Sequence, residues 1–107
     1  MSGPIFTAAE LAYLSEQHLG RIATSSATGV PDVAPVTFRV DPETHEIVIG
    51  GMDNTKTIKY RNVIATGRAA FVVDDLASVQ PWSPRGVKVR GQARPDVDDN
   101  GSPTVRI

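Results

Sequence analysis

A chain of 107 residues, 40% hydrophobic and 21% charged, has room for one domain around one core. Eleven Lys plus Arg against 12 Asp plus Glu leave a formal net charge of -1, which gives no electrostatic reason to bind nucleic acid or an anionic membrane. Zero cysteines exclude disulfides, thiolate metal sites and cysteine nucleophiles, and without an apolar run of roughly 20 residues or a secretion leader the expectation is a soluble, cytoplasmic protein.

The first element opens at Thr7, whose hydroxyl can cap a helix while Glu10 reaches back, a Thr-x-x-Glu capping box. A helix is predicted over residues 8–18, with Leu11 and Leu14 toward the core, His18 near its end and Gly20 as its stop. The pattern then changes to that of strands, predicted over 21–25 and 32–40 with a hairpin turn over 26–31, and over 46–51 after the polar turn Asp41-Pro42-Glu43-Thr44. A short helix over 54–64 follows, capped by Asn54 or Thr55 and broken at Thr66-Gly67, with Ile58, Arg61 and Asn62 on one face. Strands over 69–73 and 86–93 flank the loop Gln80-Pro81-Trp82-Ser83-Pro84. The Asp-, Asn-, Gly- and Pro-rich segment 95–103 reads as a loop, with Asn100-Gly101-Ser102 a turn, and 104–107 as an extended stub.

Two helices among short antiparallel strands fit an SH3-like barrel, an OB-fold or a split barrel, and periodicity does not choose among them. Particular residues narrow the choice. Leu-Gly-Arg-Ile-Ala-Thr at 19–24, Gly-Val-Pro-Asp-Val-Ala-Pro-Val at 29–36 and Lys-Thr-Ile-Lys-Tyr-Arg-Asn-Val at 56–63 are followed by Arg-Ala-Ala-Phe-Val-Val-Asp-Asp-Leu at 68–76 and Arg-Gly-Val-Lys-Val-Arg-Gly-Gln-Ala at 85–93. In this order they resemble the pyridoxamine 5'-phosphate oxidase-like superfamily, and within it the coenzyme F420-dependent branch. The resemblance implies a single domain over residues 1–107: a mainly β, six-stranded antiparallel split barrel, acting as a homodimer with cofactor grooves at the subunit interface. Relatives usually continue into a longer last strand, so the sixth strand is expected as a stub here and barrel closure is in question.

Lys56 and Lys59, with Thr55 and Thr57 at a helix start, offer point charges, hydroxyls and free backbone N–H groups to a phosphate, or else form a solvated helix face. By resemblance Lys59 is the family's phosphate lysine. Val36 and Thr37 lie on the strand against which a flavin-like ring would rest, with Thr24 a companion on the neighbouring strand, unless these are ordinary half-buried strand positions. Trp82 is read as a stacking or walling residue and Arg85 as a cation for an acidic tail or substrate carboxylate, the alternatives being a loop plug or a dimer contact. The candidate cofactor contacts are therefore Thr24, Val36, Thr37, Asn54, Lys56, Thr57, Lys59, Trp82 and Arg85, with no metal ligand and no assigned catalytic residue.

No triad, paired carboxylate site or activated nucleophile is legible, which suits chemistry carried by a cofactor. The resemblance implies an oxidoreductase that uses coenzyme F420, with FMN as the alternative cofactor, on an unsaturated small molecule. A basic track from the lysines toward Arg61 or Arg85 would suit the phosphodiester and oligoglutamate tail of F420 better than the single phosphate of FMN. A non-catalytic flavin-binding dimer is the competing reading, and six aromatics at near-neutral charge argue against an oligonucleotide-binding barrel.

Overall fold

The computed structural model describes residues 5–51 and 54–107. In it, helix α1 spans Ala8–Glu16 and opens on the expected box: the Glu10 N–H donates to Thr7 Oγ1 (3.2 Å) and the Thr7 N–H to Glu10 Oε1 (2.8 Å). It stops two residues short of the expected end, because Gln17 is already extended and leads straight into β1. Only Leu14 is buried; Leu11 is half-buried.

Eight strand segments follow among the described residues: β1 Leu19–Ser25, β2 Pro31–Thr37, β3 Arg39–Val40, β4 Ile47–Ile49, β5 Arg68–Ser78, β6 Ser83–Gln92, β7 Arg94–Val97 and β8 Pro103–Arg106. They form two four-stranded sheets, ordered β2-β1-β5-β6 and β3-β4-β8-β7, with every pairing antiparallel. Where six strands are expected there are eight segments. The difference arises at Phe38 and Ala93, each of which interrupts a run so that one stretch of chain passes from the first sheet into the second.

The β5–β6 hairpin is longer than its apolar stretch suggests, because pairing continues through polar residues to Ser78↔Ser83. The expected loop over 95–103 is in part strand. Arg94–Val97 pairs with β8, and Asp98 builds the connecting turn by accepting the Asn100 and Ser102 N–H groups at 2.9 Å each. The stub is a short central strand, hydrogen-bonded to β4 on one side and β7 on the other.

Helix α2, Ile58–Thr66, is preceded by a 3₁₀ turn, Asn54–Lys56. Its cap is Thr57, not Asn54 or Thr55: the Tyr60 N–H donates to Thr57 Oγ1, and the Thr57 hydroxyl donates to the Asn54 carbonyl at 2.7 Å. Gly67 ends the helix in the left-handed conformation, φ 69°. Of the three residues expected on one face, only Asn62 is buried, and its amide donates to Thr24 Oγ1 on β1 (3.0 Å).

The core joins Leu14 of α1, Val63 of α2 and inward residues of both sheets: Ile22, Val36, Ile47, Ile49, Ala69, Phe71, Val73, Ala93 and Val105. Strict alternation on β1 turns Gly20, Ile22 and Thr24 inward. Phe71 packs edge-to-face on Phe38, centroids 5.0 Å apart, and occupies the space a Cβ at Gly20 would need. No helix among the described residues is long and apolar enough to cross a membrane.

Candidate functional site

The second strand is an edge of the first sheet, so one side of its backbone has no sheet partner. Its side chains alternate: Val36 faces the core, while Pro31, Val33, Pro35 and Thr37 face outward and are exposed. Val36 therefore offers no side chain to a ligand on the outward face. The outward surface is made by Thr37, singled out from sequence, together with Pro31, Val33 and Pro35, which were not.

Around the start of α2, Lys56 is exposed and Lys59 half-buried. Partial burial pushes the Lys59 ammonium below its ordinary pKa, and the Asp32 carboxylate on β2 pulls it partly back. Lys59 thus sits beside the N-terminal part of β2, five residues from Thr37, or about 16 Å along the strand. Lys59 therefore lies toward the half-buried face of β2 that carries Asp32, whereas Val33 and Pro35 face outward.

Other candidates are already engaged inside the fold. Asn54 is 1% exposed and donates to the Ile49 (3.3 Å) and Pro103 (3.2 Å) carbonyls, bracing both sides of the second sheet's centre. Its Oδ1 is buried without a partner among the described residues. Thr24 accepts from Asn62, and Thr57 is spent on capping. Arg85 makes a two-pronged ion pair with Asp75 (2.7 and 2.9 Å) and lies 5.1 Å from the Tyr13 ring centroid, while the Tyr13 hydroxyl donates to the same carboxylate (3.0 Å). Arg85 holds the Asp75 carboxyl below the usual carboxylate range, and desolvation with the Asp75 contact raises Tyr13. This corrects its reading as a free cation: Arg85 pins the β5–β6 hairpin to α1.

Trp82 is 68% exposed at the tip of that hairpin. Strand β6 is the edge opposite β2, so Trp82 does not share a surface with the lysines within one chain.

Sequence reasoning missed three features. The His45 ring is buried, stacks on Phe6 and accepts the Ile5 and Phe6 N–H groups at Nδ1 (3.0 and 3.1 Å), tying down the segment before α1. A half-buried charge cluster links the turn before β4 to β7 and β8. In it Arg106 contacts Asp41 (2.9 Å) and Glu46 (3.1 Å), its Nε lies 2.9 Å from Asp96 without hydrogen-bond alignment, and Arg94 grips Glu46 (2.6 and 3.1 Å). Third, an open groove of about 820 Å³ crosses the outer face of β1, β5 and β6. The Asp-Pro-Glu-Thr-His turn was the only local signal for the first two; the third exists only through strand register.

Two antiparallel sheets exchanging strands at Phe38 and Ala93 define a mainly β protein of the split-barrel kind. Solved structures agree at the level of fold. The chain superposes on a conserved hypothetical protein of Mycobacterium tuberculosis with a TM-score of 0.74 over 96% of this chain and 80% of that one. It superposes on the FAD binding protein from Mycobacterium smegmatis with 0.70 over 98% and 89%, each at 19% identity.

The family described as Pyridoxamine 5'-phosphate oxidase matches residues 6–106, and the chain belongs to that family. It is also 43% identical over 89 residues, 83% of its length, to the 5a,11a-dehydrotetracycline/5a,11a-dehydrooxytetracycline reductase of Streptomyces rimosus subsp. rimosus, and spans 63% of that relative.

Proposed function

We propose that this chain is an oxidoreductase that holds coenzyme F420 and reduces an unsaturated or conjugated small molecule, working as a cytoplasmic homodimer. The observation that carries the reading is the cation pair Lys56 and Lys59 at the start of α2, with Lys59 half-buried near Asp32 of the edge strand β2. Family membership supports a flavin-type cofactor, and the similar relative is a reductase by name. When bound and reduced, the deazaflavin supplies a hydride from ring carbon C5.

The chain's own residues bind, orient and shield. Lys56 and Lys59 hold the phosphate, gaining most at Lys59 because an anion beside it restores the stabilisation that partial burial removes. Val33 and Pro35 form a flat seat for the ring, and the edge backbone of β2 with the Thr37 hydroxyl supplies hydrogen bonds along its rim. Pro31 and Pro35 withhold N–H donors, which also discourages another strand from adding to this edge.

The dimer follows from what one chain leaves uncovered. Leu19 and Val33 are 52% and 68% exposed on the outer face of the first sheet, and Trp82 stands free at the hairpin tip. A second copy would cover Leu19 and Val33, leaving Arg68 and Arg90 open, and bring its own Trp82 toward the ring, excluding water.

The test is a fluorescence titration of purified protein with F420 and, in parallel, with FMN. Tight F420 binding is expected, weakened in Lys59→Ala by about 1.5 to 3 kcal/mol, or roughly ten- to a hundredfold. Preference for FMN would make this an FMN oxidoreductase, and binding of neither would overturn the reading. A bound, reduced cofactor that no added acceptor oxidises would leave a binding protein without turnover.

A further inference from the structure

The groove over β1, β5 and β6 carries charge that the fold does not use. Strand register sets Arg68 opposite Gln92 and Ala70 opposite Arg90, so Arg68 and Arg90 are diagonal neighbours on one face, with Cβ atoms about 7–8 Å apart. Both line the groove and both are exposed. Among the described residues neither has a carboxylate within 4.0 Å, whereas Arg21, Arg85, Arg94 and Arg106 each do. Ser25 and Gln92 add polar side chains, and Ala23 and Ala70 keep the floor low and apolar.

Two unpaired guanidinium groups at this separation repel each other in the free protein. Cations on an edge strand commonly guard it against pairing, a role that would account for Arg90 on β6. It does not account for Arg68, since β5 is an inner strand of the sheet. Guanidinium forks match carboxylates in a way that point charges do not, and two forks with an amide between them match a ligand carrying more than one carboxylate.

We infer that Arg68 and Arg90 form a carboxylate-binding station, separate from the lysine seat, for a ligand bearing at least two carboxylates. Thr66, the last residue of α2, lines this groove, whereas Lys59 lies at the helix's other end, about 10 Å away along its axis. The carboxylates come either with an acidic tail on the cofactor or with a free acidic substrate; only the assignment to one of these rests on the function proposed above.

The direct probe is a fluorophore-labelled triglutamate peptide, followed by anisotropy at low salt on the full chain. Binding to the wild type is expected, weakened at least tenfold in the Arg68→Gln/Arg90→Gln double variant and falling steeply with added salt. Equal binding by wild type and variant, or none by the wild type, would overturn the station. Circular dichroism melting of the same variant checks that the fold is intact, and an Arg68→Lys/Arg90→Lys variant that keeps the charge but loses the fork should recover only part of the affinity.

A second arm compares F420 with and without its oligoglutamate tail. Tighter binding of the tailed form, with the difference abolished in the double variant, places the carboxylates on the cofactor; equal affinities with the peptide still bound place them on a substrate. Failure of both cofactor forms to bind would defeat the function proposed above while leaving the peptide result to judge the station.

Discussion

The two sheets treat charge in opposite ways. On the second, Arg94 and Arg106 are gripped by Asp41, Glu46 and Asp96, with the Arg106, Asp41 and Glu46 side chains 15–18% exposed. On the outer face of the first, Arg68 and Arg90 are exposed around an open groove and have no acidic partner among the described residues. Paired, half-buried charges fasten strands; unpaired charges over a flat floor are available to a ligand. The second sheet spends Arg94 and Arg106 on the fold; the first spends Arg21 and Arg85 in the same way but leaves Arg68 and Arg90 unpaired among the described residues.

The sharpest way to break this contrast is to remove one cation from each side. Arg106→Ala leaves Asp41 and Asp96 without their arginine and Glu46 with Arg94 alone, and urea unfolding should register a loss of about 2 to 3 kcal/mol. A loss under about 0.5 kcal/mol, the usual range for surface substitutions, would mean that the cluster does not hold the sheet together.

Next in size is the polar tie under the first sheet. Asn62→Ala removes the donor to Thr24 Oγ1 and should cost about 1 to 2 kcal/mol by the same measurement, with cofactor affinity unchanged if Thr24 plays no part in binding.

Acid titration separates the sheets without changing their packing. Hydrogen bonds from the Glu43 backbone, then the Arg106 side chain and the Thr44 backbone, lower the Asp41 pKa to about 2. An unfolded aspartate titrates near 3.9, so this stabilisation is complete above about pH 4 and is lost as pH falls toward 2. Thermal melts of Asp41→Asn should show a flatter pH dependence than wild type across that window; an unchanged profile would move the acid sensitivity to other carboxylates. The smallest effect belongs to the open face: Arg68→Ala and Arg90→Ala should each change stability by less than about 0.5 kcal/mol, and a larger drop in urea unfolding would show that these arginines serve the fold after all.

Local signals in the chain were strong wherever an element depends on its neighbours in sequence. Thr7 and Glu10 predict the start of α1, and Thr66-Gly67 the end of α2. The lysines at the start of α2 were legible for the same reason, since a helix start with cations three residues apart is a local pattern. Reading failed where a side chain's partner is distant. Arg85 looks free until the hairpin brings Asp75 and Tyr13 against it, Asn54 looks like a cap until Ile49 and Pro103 claim its amide, and the polar segment after Ala93 looks like a loop until β8 pairs with it.

By itself, the sequence determined the protein's class: a mainly β chain with two short helices, no thiol chemistry, and a cationic helix start. Tertiary structure alone decided which charges are used up and which remain. That outcome depends on register between strands far apart in the chain, and a one-residue slip in pairing would turn Arg68 and Arg90 from the groove to the core without altering a single local motif.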